Sequence, residues 1–427
     1  MSQFRRREFL RISAAAGAIC AATGVHAAAP DARRAIGRVI VVGGGYGGAT
    51  AAKYLRMWSG GAIEVLLIER NAEFVSCPMS NLVLSGARSM SDITRGYGKL
   101  RDYGVQVIRD EATGIDVQEK RLKLGRSEDL PYDRLVVSPG IDFIHEELEG
   151  YDAEAQKTIH HAWKAGPDTV ALRKQLEDMK DGGVFVLSIP SAPYRCPPGP
   201  YERACQVAAY FKRSKPKSKI LILDANPDVT SKGPLFKAAW NDLYKDMIEY
   251  RNNAAVRSVD AKEMNVKTDF DTVRGDVLNV VPPQRAAALA KGAGLITANN
   301  RWCGVDWLSM ESAAVKGIHV LGDATLSAPL MPKSGHMANQ HAKLAAAAIV
   351  ELMNGRQPSQ APLVANTCYS FVSDKEAVHV ASVHTYDARE KTLKPVPGAG
   401  GLSPQRNELE GLYAWGWAQN IWVDMLG

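Results

Sequence analysis

Unbroken apolar runs, each closed by a small-residue turn, recur along this chain. Val39-Ile40-Val41-Val42 enters Gly43, and Ile63-Glu64-Val65-Leu66-Leu67-Ile68 follows one helix length later. Residues 132–137 end at Ser138-Pro139-Gly140, and residues 317–321 run into Gly322-Asp323. A strand buried on both faces reads as a near-continuous apolar run, whereas a strand with one wet face alternates. Runs of this kind separated by helical stretches predict βαβ units and parallel sheets. The pattern predicts a first strand–helix–strand over 38–69, an irregular stretch over 71–86, a helix over 92–102 and strands from 105. It predicts a helix near 166–180 and a second strand–helix–strand over 184–224, with its helix over 201–213. Beyond that come mixed helix and short strands over 230–275, a strand over 276–281, and an Ala-rich helix over 334–353. The expected fold class is α/β, with two Rossmann-like domains and a smaller C-terminal α+β domain. The expected boundaries are 36–145 with 276–355 for the first domain, 146–275 for the second and 356–427 for the last.

The turn after the first strand narrows the picture. Gly43, Gly45 and Gly48 fit G-x-G-x-x-G between an apolar strand and a small-residue helix. In a dinucleotide-binding turn the first glycine allows the sharp bend, the second lets backbone approach a pyrophosphate, and the third lets helix pack on strand. The helix start adds free N–H groups and the positive end of its dipole. The second strand ends at Glu69, with Arg70 beside it, placed for a ribose hydroxyl pair. Gly322-Asp323, after another apolar strand, is a second cofactor candidate, on the ribityl or pyrophosphate side. The 184–224 repeat also ends in an acid, Asp224. Its turn reads Pro-Ser-Ala-Pro-Tyr-Arg-Cys-Pro-Pro-Gly-Pro-Tyr-Glu-Arg, where prolines remove N–H groups and no glycine fingerprint remains. This predicts one FAD and no NAD(P)H in the second domain.

Charge and length change little. The 427 residues are 46% hydrophobic and 23% charged, with a net charge of +6. That excess is mild and dispersed, so nucleic acid is not an expected partner. About half of it sits in residues 1–27, where Arg6-Arg7-Glu8-Phe9-Leu10-Arg11 precedes a short Ala/Gly-rich apolar run and Val25-His26-Ala27. This reads as a twin-arginine signal peptide with an A-x-A-like cleavage site, and it predicts the bacterial periplasm. No long apolar run follows, so no transmembrane segment is expected in the mature chain.

Cysteines carry the candidate chemistry. Cleavage would remove Cys20 and leave Cys77, Cys196, Cys205, Cys303 and Cys368. No C-x-x-C-H occurs, so no haem is expected in this chain. Cys196 lies in the proline-rich turn before a helix. A helix start and the neighbouring Arg195 would favour its thiolate, against a plain buried cysteine as the alternative. Cys77 and Cys368 taken alone read as packing cysteines, and nothing in the spacing pairs Cys368 with Cys196. Cys205 reads as core, and Cys303 as packing or a spare thiol. His160, His161, His336 and His341 lack a matching ligand set, so no metal site is expected.

Four stretches together carry a resemblance: Val-Val-Gly-Gly-Gly-Tyr-Gly-Gly, Ser-Cys-Pro-Met-Ser-Asn, Tyr-Arg-Cys-Pro-Pro-Gly-Pro-Tyr-Glu-Arg-Ala and Asn-Thr-Cys-Tyr-Ser. From about residue 38 onward the chain resembles the flavoprotein subunit of flavocytochrome c sulfide dehydrogenase, within the glutathione-reductase-like disulfide oxidoreductases. The resemblance implies FAD joined through a thioether to Cys77. It also implies a redox-active disulfide between Cys196 and Cys368 that oxidises sulfide to sulfur or polysulfide, and a separate c-type, dihaem cytochrome subunit as acceptor. Two other readings stay open: a sulfide:quinone oxidoreductase, allowed by the aromatic C-terminal stretch, and a non-catalytic FAD-containing partner of a cytochrome complex.

Overall fold

The computed structural model describes residues 36–427, which pack as one compact unit. The twin-arginine stretch and Cys20 lie outside the described residues. In chain order the main elements are β1 (Gly37–Val42), α1 (Tyr46–Trp58), β2 (Ile63–Ile68), β3 (Gln106–Ile108) and β4 (Arg134–Val137), then α2 (Pro167–Asp178). Next come β5 (Val184–Ile189), α3 (Gly199–Ser214), β6 (Lys219–Asp224), α4 (Gly233–Leu243), β7 (Ile248–Arg251) and β8 (Val277–Val280). The chain closes with β9 (Ile318–Val320), α5 (Gly335–Met353), β10 (Leu363–Phe371), β11 (Ala377–Asp387), β12 (Thr392–Leu402) and α6 (Glu408–Leu426).

The first sheet is parallel, in the order β9-β4-β1-β2-β3. Val39, Ile40 and Val41 of β1 are wholly buried because β4 and β2 flank them and α1 covers one face. Each such side chain contributes roughly 1.5–3 kcal/mol by leaving water. The second sheet is also parallel, in the order β7-β6-β5-β8. The switch points of both sheets therefore lie at the carboxyl ends of β1 and β5, where ligands of such folds bind. The third sheet, β10-β11-β12, is an antiparallel meander.

Three boundaries differ from the sequence reading. The strand over 276–281 was expected to reopen the first domain, but β8 pairs with β5 and completes the second sheet. An apolar strand run carries no mark of which sheet it joins. The second domain therefore extends past 275, and the first resumes later. The stretch 71–86 is not irregular throughout: Glu73–Val75 is a short strand and Asn81–Ser85 a short helix. Over 92–102 no α-helix forms: short 3₁₀ turns at Ser91–Ile93 and Gly98–Tyr103 flank a short strand, Thr94–Gly96, that pairs with Glu73–Val75.

The terminal segment is fastened to the first domain. Lys53 of α1 donates to the carbonyl oxygens of Val423, Asp424 and Gly427 at 3.1, 2.9 and 2.6 Å. A lysine at a helix C-terminus meets free carbonyls and the negative dipole end together. Trp422 Nε1 donates to the Tyr46 hydroxyl at 3.1 Å, so α6 also closes over the start of α1. Among the described residues no helix is long and apolar enough to cross a membrane.

Candidate active site

The glycine turn is built as its sequence demands. Gly43 has φ +95°, and its N–H donates to the Ile68 carbonyl at 2.9 Å, tying the turn to β2. A Cβ at Gly43 would overlap the Ser138 carbonyl, and one at Gly48 would overlap the Gly43 carbonyl. Gly45 differs: a Cβ there would meet nothing within 4 Å. Gly45 caps α1 without a side-chain hydrogen bond and lines a cavity of about 400 Å³. Gly43 and Gly48 thus shape the turn, while Gly45 faces open space.

Glu69 also lines this cavity. Its carboxylate accepts from Gly44 N and Asn71 N, each at 2.7 Å, so it braces the glycine turn as well. Arg70, the other candidate at this end, is not brought to the cavity. It is exposed and pairs with Glu111 at 3.1 Å. At the strand end on the other side, Gly322 and Asp323 line the cavity, and Asp323 Oδ1 is buried without a hydrogen-bond partner. Burial raises the Asp323 pKa, opposed by the charges of Arg195 and Lys333. Ser334 caps α5, accepting from Met337 N at 3.0 Å, and sets that helix start at the same cavity. These features fit FAD: a glycine cradle, two helix starts and an orphaned carboxylate oxygen that a ligand hydroxyl would satisfy.

Cys77, Cys196 and Cys368 all line the same cavity. The first of them, read from sequence alone as a packing cysteine, comes from the loop after Glu69. The loop turns back because the short helix after it docks on α3: Asn81 Nδ2 donates to the Gly199 carbonyl at 3.1 Å and to Glu202 at 3.0 Å. Arg203 locks the joint. Its buried guanidinium donates to Asn81, the His161 and Ala162 carbonyls and Asn279, within 2.6–3.0 Å. Burial pushes that guanidinium down to about 10. Cys77 Sγ accepts from Ala165 N at 3.4 Å.

Cys196 holds an unusual backbone, with φ +58°. Its N–H donates to the Lys333 carbonyl at 2.8 Å and its carbonyl accepts from Gly199 N at 2.9 Å, which fixes the strained residue from both sides. Gly199 is needed here: a Cβ there would stand 2.9 Å from Cys196 Sγ. The expected helix-stabilised thiolate is corrected by burial. Desolvation drives the Cys196 thiol well above its ordinary range, Cys368 and Glu202 add to that, and Arg195 and Lys232 only partly oppose it. Cys368, on β10, is raised for the same first reason, with Lys232 opposing. Both are free thiols in this structure.

Profiles of known families divide this chain among three descriptions. A pyridine nucleotide-disulphide oxidoreductase domain matches residues 37–179. The central domain of the sulfide dehydrogenase [flavocytochrome c] flavoprotein chain matches 169–282. The flavocytochrome c sulphide dehydrogenase flavin-binding domain matches 360–426. The sulfide dehydrogenase [flavocytochrome c] flavoprotein chain of Chlorobaculum thiosulfatiphilum is 56% identical over 46 residues, which are 11% of this chain and 94% of that one. This chain belongs to the flavocytochrome c sulfide dehydrogenase flavoprotein family.

Other similarities to the flavoprotein are broader and weaker. The mitochondrial sulfide:quinone oxidoreductase of Mus musculus is 23% identical over 312 residues, 67% of this chain and 65% of that one. The chain thus spans 65% of the length of the first curated relatives it matches. The structure of sulfide:quinone oxidoreductase from Aquifex aeolicus superposes with a TM-score of 0.74 at 19% identity, covering 91% of each chain. That likeness shows the fold alone, with its two parallel, Rossmann-like sheets.

Sequence reasoning missed several residues of this site. Glu202, Asn81, Arg203 and Lys232 are buried polar side chains whose roles depend on tertiary contacts. Trp417, flagged only as part of an aromatic stretch, lines the cavity and meets His336 edge-on at 5.9 Å. Cys205 and Cys303 are buried away from the cavity lining, in the core.

Proposed function

We propose that this protein oxidises sulfide through a Cys196–Cys368 disulfide beside FAD, with FAD joined to Cys77, and that a c-type, dihaem cytochrome subunit accepts the electrons. The observation that carries the proposal is the meeting of Cys77, Cys196 and Cys368 in one cavity with Gly45 and Asp323. Gly45 and the start of α1 would hold the pyrophosphate, and Glu69 and Asp323 would accept from sugar hydroxyls. FAD, when bound, supplies a two-electron acceptor that can release electrons singly.

Burial makes a thiolate costly at both Cys196 and Cys368, so the pair rests uncharged, as a disulfide when oxidised and as protonated thiols when reduced. Hydrosulfide attacks disulfide sulfur as thiolates do, leaving a persulfide on one cysteine and a thiolate on the other. At the end of β6, Asp224 is buried and accepts from the Tyr201 and Tyr250 hydroxyls at 2.7 and 3.0 Å. Its carboxylate is committed to packing, which supports a second domain that does not take NAD(P)H.

Anaerobic addition of sulfide to the purified protein is expected to bleach the flavin, and NADH is expected to leave it oxidised. Re-oxidation should follow with a c-type cytochrome and not with a quinone analogue. Turnover with the quinone alone would replace this reading with a sulfide:quinone oxidoreductase. Absence of bleaching would replace it with an FAD-containing binding partner. Acid-precipitated protein is expected to keep its flavin, and Cys77→Ala to release it into the supernatant. Full release from the unaltered protein would overturn the thioether. We also place the mature protein in the periplasm after removal of residues 1–27, which the mass of the purified chain tests.

A further inference from the structure

Lys232 carries two costs at one position. It is only 4% exposed, and its backbone is left-handed, with φ +59°, at the residue that caps α4. Lysines are seldom buried unpaired, and helix caps are usually extended, with asparagine or glycine favoured where φ is positive. Strain and burial on one charged residue point to a role in the neighbouring site. The ammonium donates to the Cys368 carbonyl at 2.9 Å and to Ser370 Oγ at 2.8 Å. Both partners are uncharged, and among the described residues Lys232 makes no ion pair.

We propose that Lys232 is a positioning residue that places negative charge on Cys368 rather than on Cys196, so that Cys368 departs and Cys196 takes the incoming sulfur when their bridge is opened. This rests on the reading of Cys196 and Cys368 as a sulfide-oxidising pair. In the step, hydrosulfide sulfur forms a bond to Cys196 Sγ and the Cys196–Cys368 bond breaks. The electron pair of that bond leaves on Cys368 Sγ, and the hydrosulfide proton stays on the new persulfide. The disulfide is the oxidant, and the step draws no proton from Lys232, whose pKa burial lowers while the charges of Cys368 and Glu202 oppose that fall.

The surroundings of the two sulfurs are unequal. Lys232 is bonded to the Cys368 carbonyl and so stands beside that residue, where its charge favours the thiolate and the Glu202 carboxylate opposes it. Cys196 faces Cys368 and Glu202 first, with Arg195, Lys232 and Arg203 around it. The Arg195 guanidinium is turned onto the Trp163 carbonyl. The lower-pKa thiol is the better leaving group in exchange, so the asymmetry sets the direction of attack.

Reduced holoprotein treated with iodoacetamide across a pH series, with peptides mapped by mass, reads the order of the two thiols. Cys368 is expected to alkylate at lower pH than Cys196. Lys232→Gln keeps a hydrogen-bond donor without the charge, and should move the Cys368 profile up by about one pH unit or more. Lys232→Arg should restore it. A merely structural lysine would leave both profiles in place, and that result, or earlier alkylation of Cys196, overturns the proposal. One equivalent of sulfide added to the oxidised protein, then trapped by alkylation, should leave the extra sulfur on the Cys196 peptide. Extra sulfur on Cys368 overturns the proposed direction. Absence of a Cys196–Cys368 crosslink in non-reducing peptide maps would instead overturn the functional reading, separately from the thiol order.

Discussion

Serine at Cys196 or at Cys368 is expected to lower the rate of sulfide-dependent flavin bleaching by on the order of 10³-fold or more, because a covalent route is removed and not merely weakened. A serine hydroxyl cannot form the bridge, cannot hold a persulfide and does not leave as an anion at neutral pH. The two variants should fail alike, since either sulfur alone lacks its partner. Cys205→Ala is the control. Cys205 is buried in the core on the helix that begins beside Cys196, and it does not line the cavity. It should cost stability through the small void it leaves while sparing the bleaching step. Stopped-flow absorbance of the three variants separates loss of chemistry from loss of fold. A fully active Cys196→Ser or Cys368→Ser protein would end the disulfide mechanism.

Alanine at Gly48 is expected to yield protein that melts early and carries little flavin. The new Cβ would overlap the Gly43 carbonyl, with Val41 Cγ1 only 3.3 Å away. Neither neighbour can retreat, since Gly43 is bonded to Ile68 and Val41 is held between β2 and β4. The helix must lift from the strand, at a cost of about 3 kcal/mol. Gly45→Ala should behave differently, because its Cβ enters the open cavity. The flavin-free protein should melt as before, and only the flavin content should fall. Measuring the flavin-to-protein absorbance ratio beside the thermal melt distinguishes a packing glycine from a ligand-facing one. Equal melting of the Gly48→Ala and unaltered proteins would contradict the close packing of α1 on β1.

The parts of this molecule legible in the sequence were those fixed by neighbours in the chain. β1, its glycine turn and α1 are local: strand burial, positive φ and helix start are set within some twenty residues. The same holds for α5, whose Ser334 cap stands where the Ala-rich run begins. The meeting of Cys77 with Cys196 was not legible, because it depends on Asn81 reaching Glu202 across 121 positions. Lys232 gave no signal, since a lysine in a polar stretch reads as exposed until its contacts with β10 are known. Arg70 failed for the converse reason: proximity in sequence to Glu69 does not fix which way a long side chain turns. The placement of β8 failed because apolar runs from adjoining sheets look alike.

The fastening of α6 onto α1 ties cofactor capture to the completion of the fold. Tyr46 stands at the glycine turn and lines the cavity, and Trp422 lies near the other end of the described chain, 376 positions away, yet the two share a hydrogen bond. Bringing such distant segments together is entropically slow and comes late. A ligand that binds the cavity with α6 in place would stabilise that packed form by mass action. The flavoprotein should therefore resist proteolysis between β12 and α6 in proportion to its cofactor occupancy, so that a protease ladder doubles as a loading gauge.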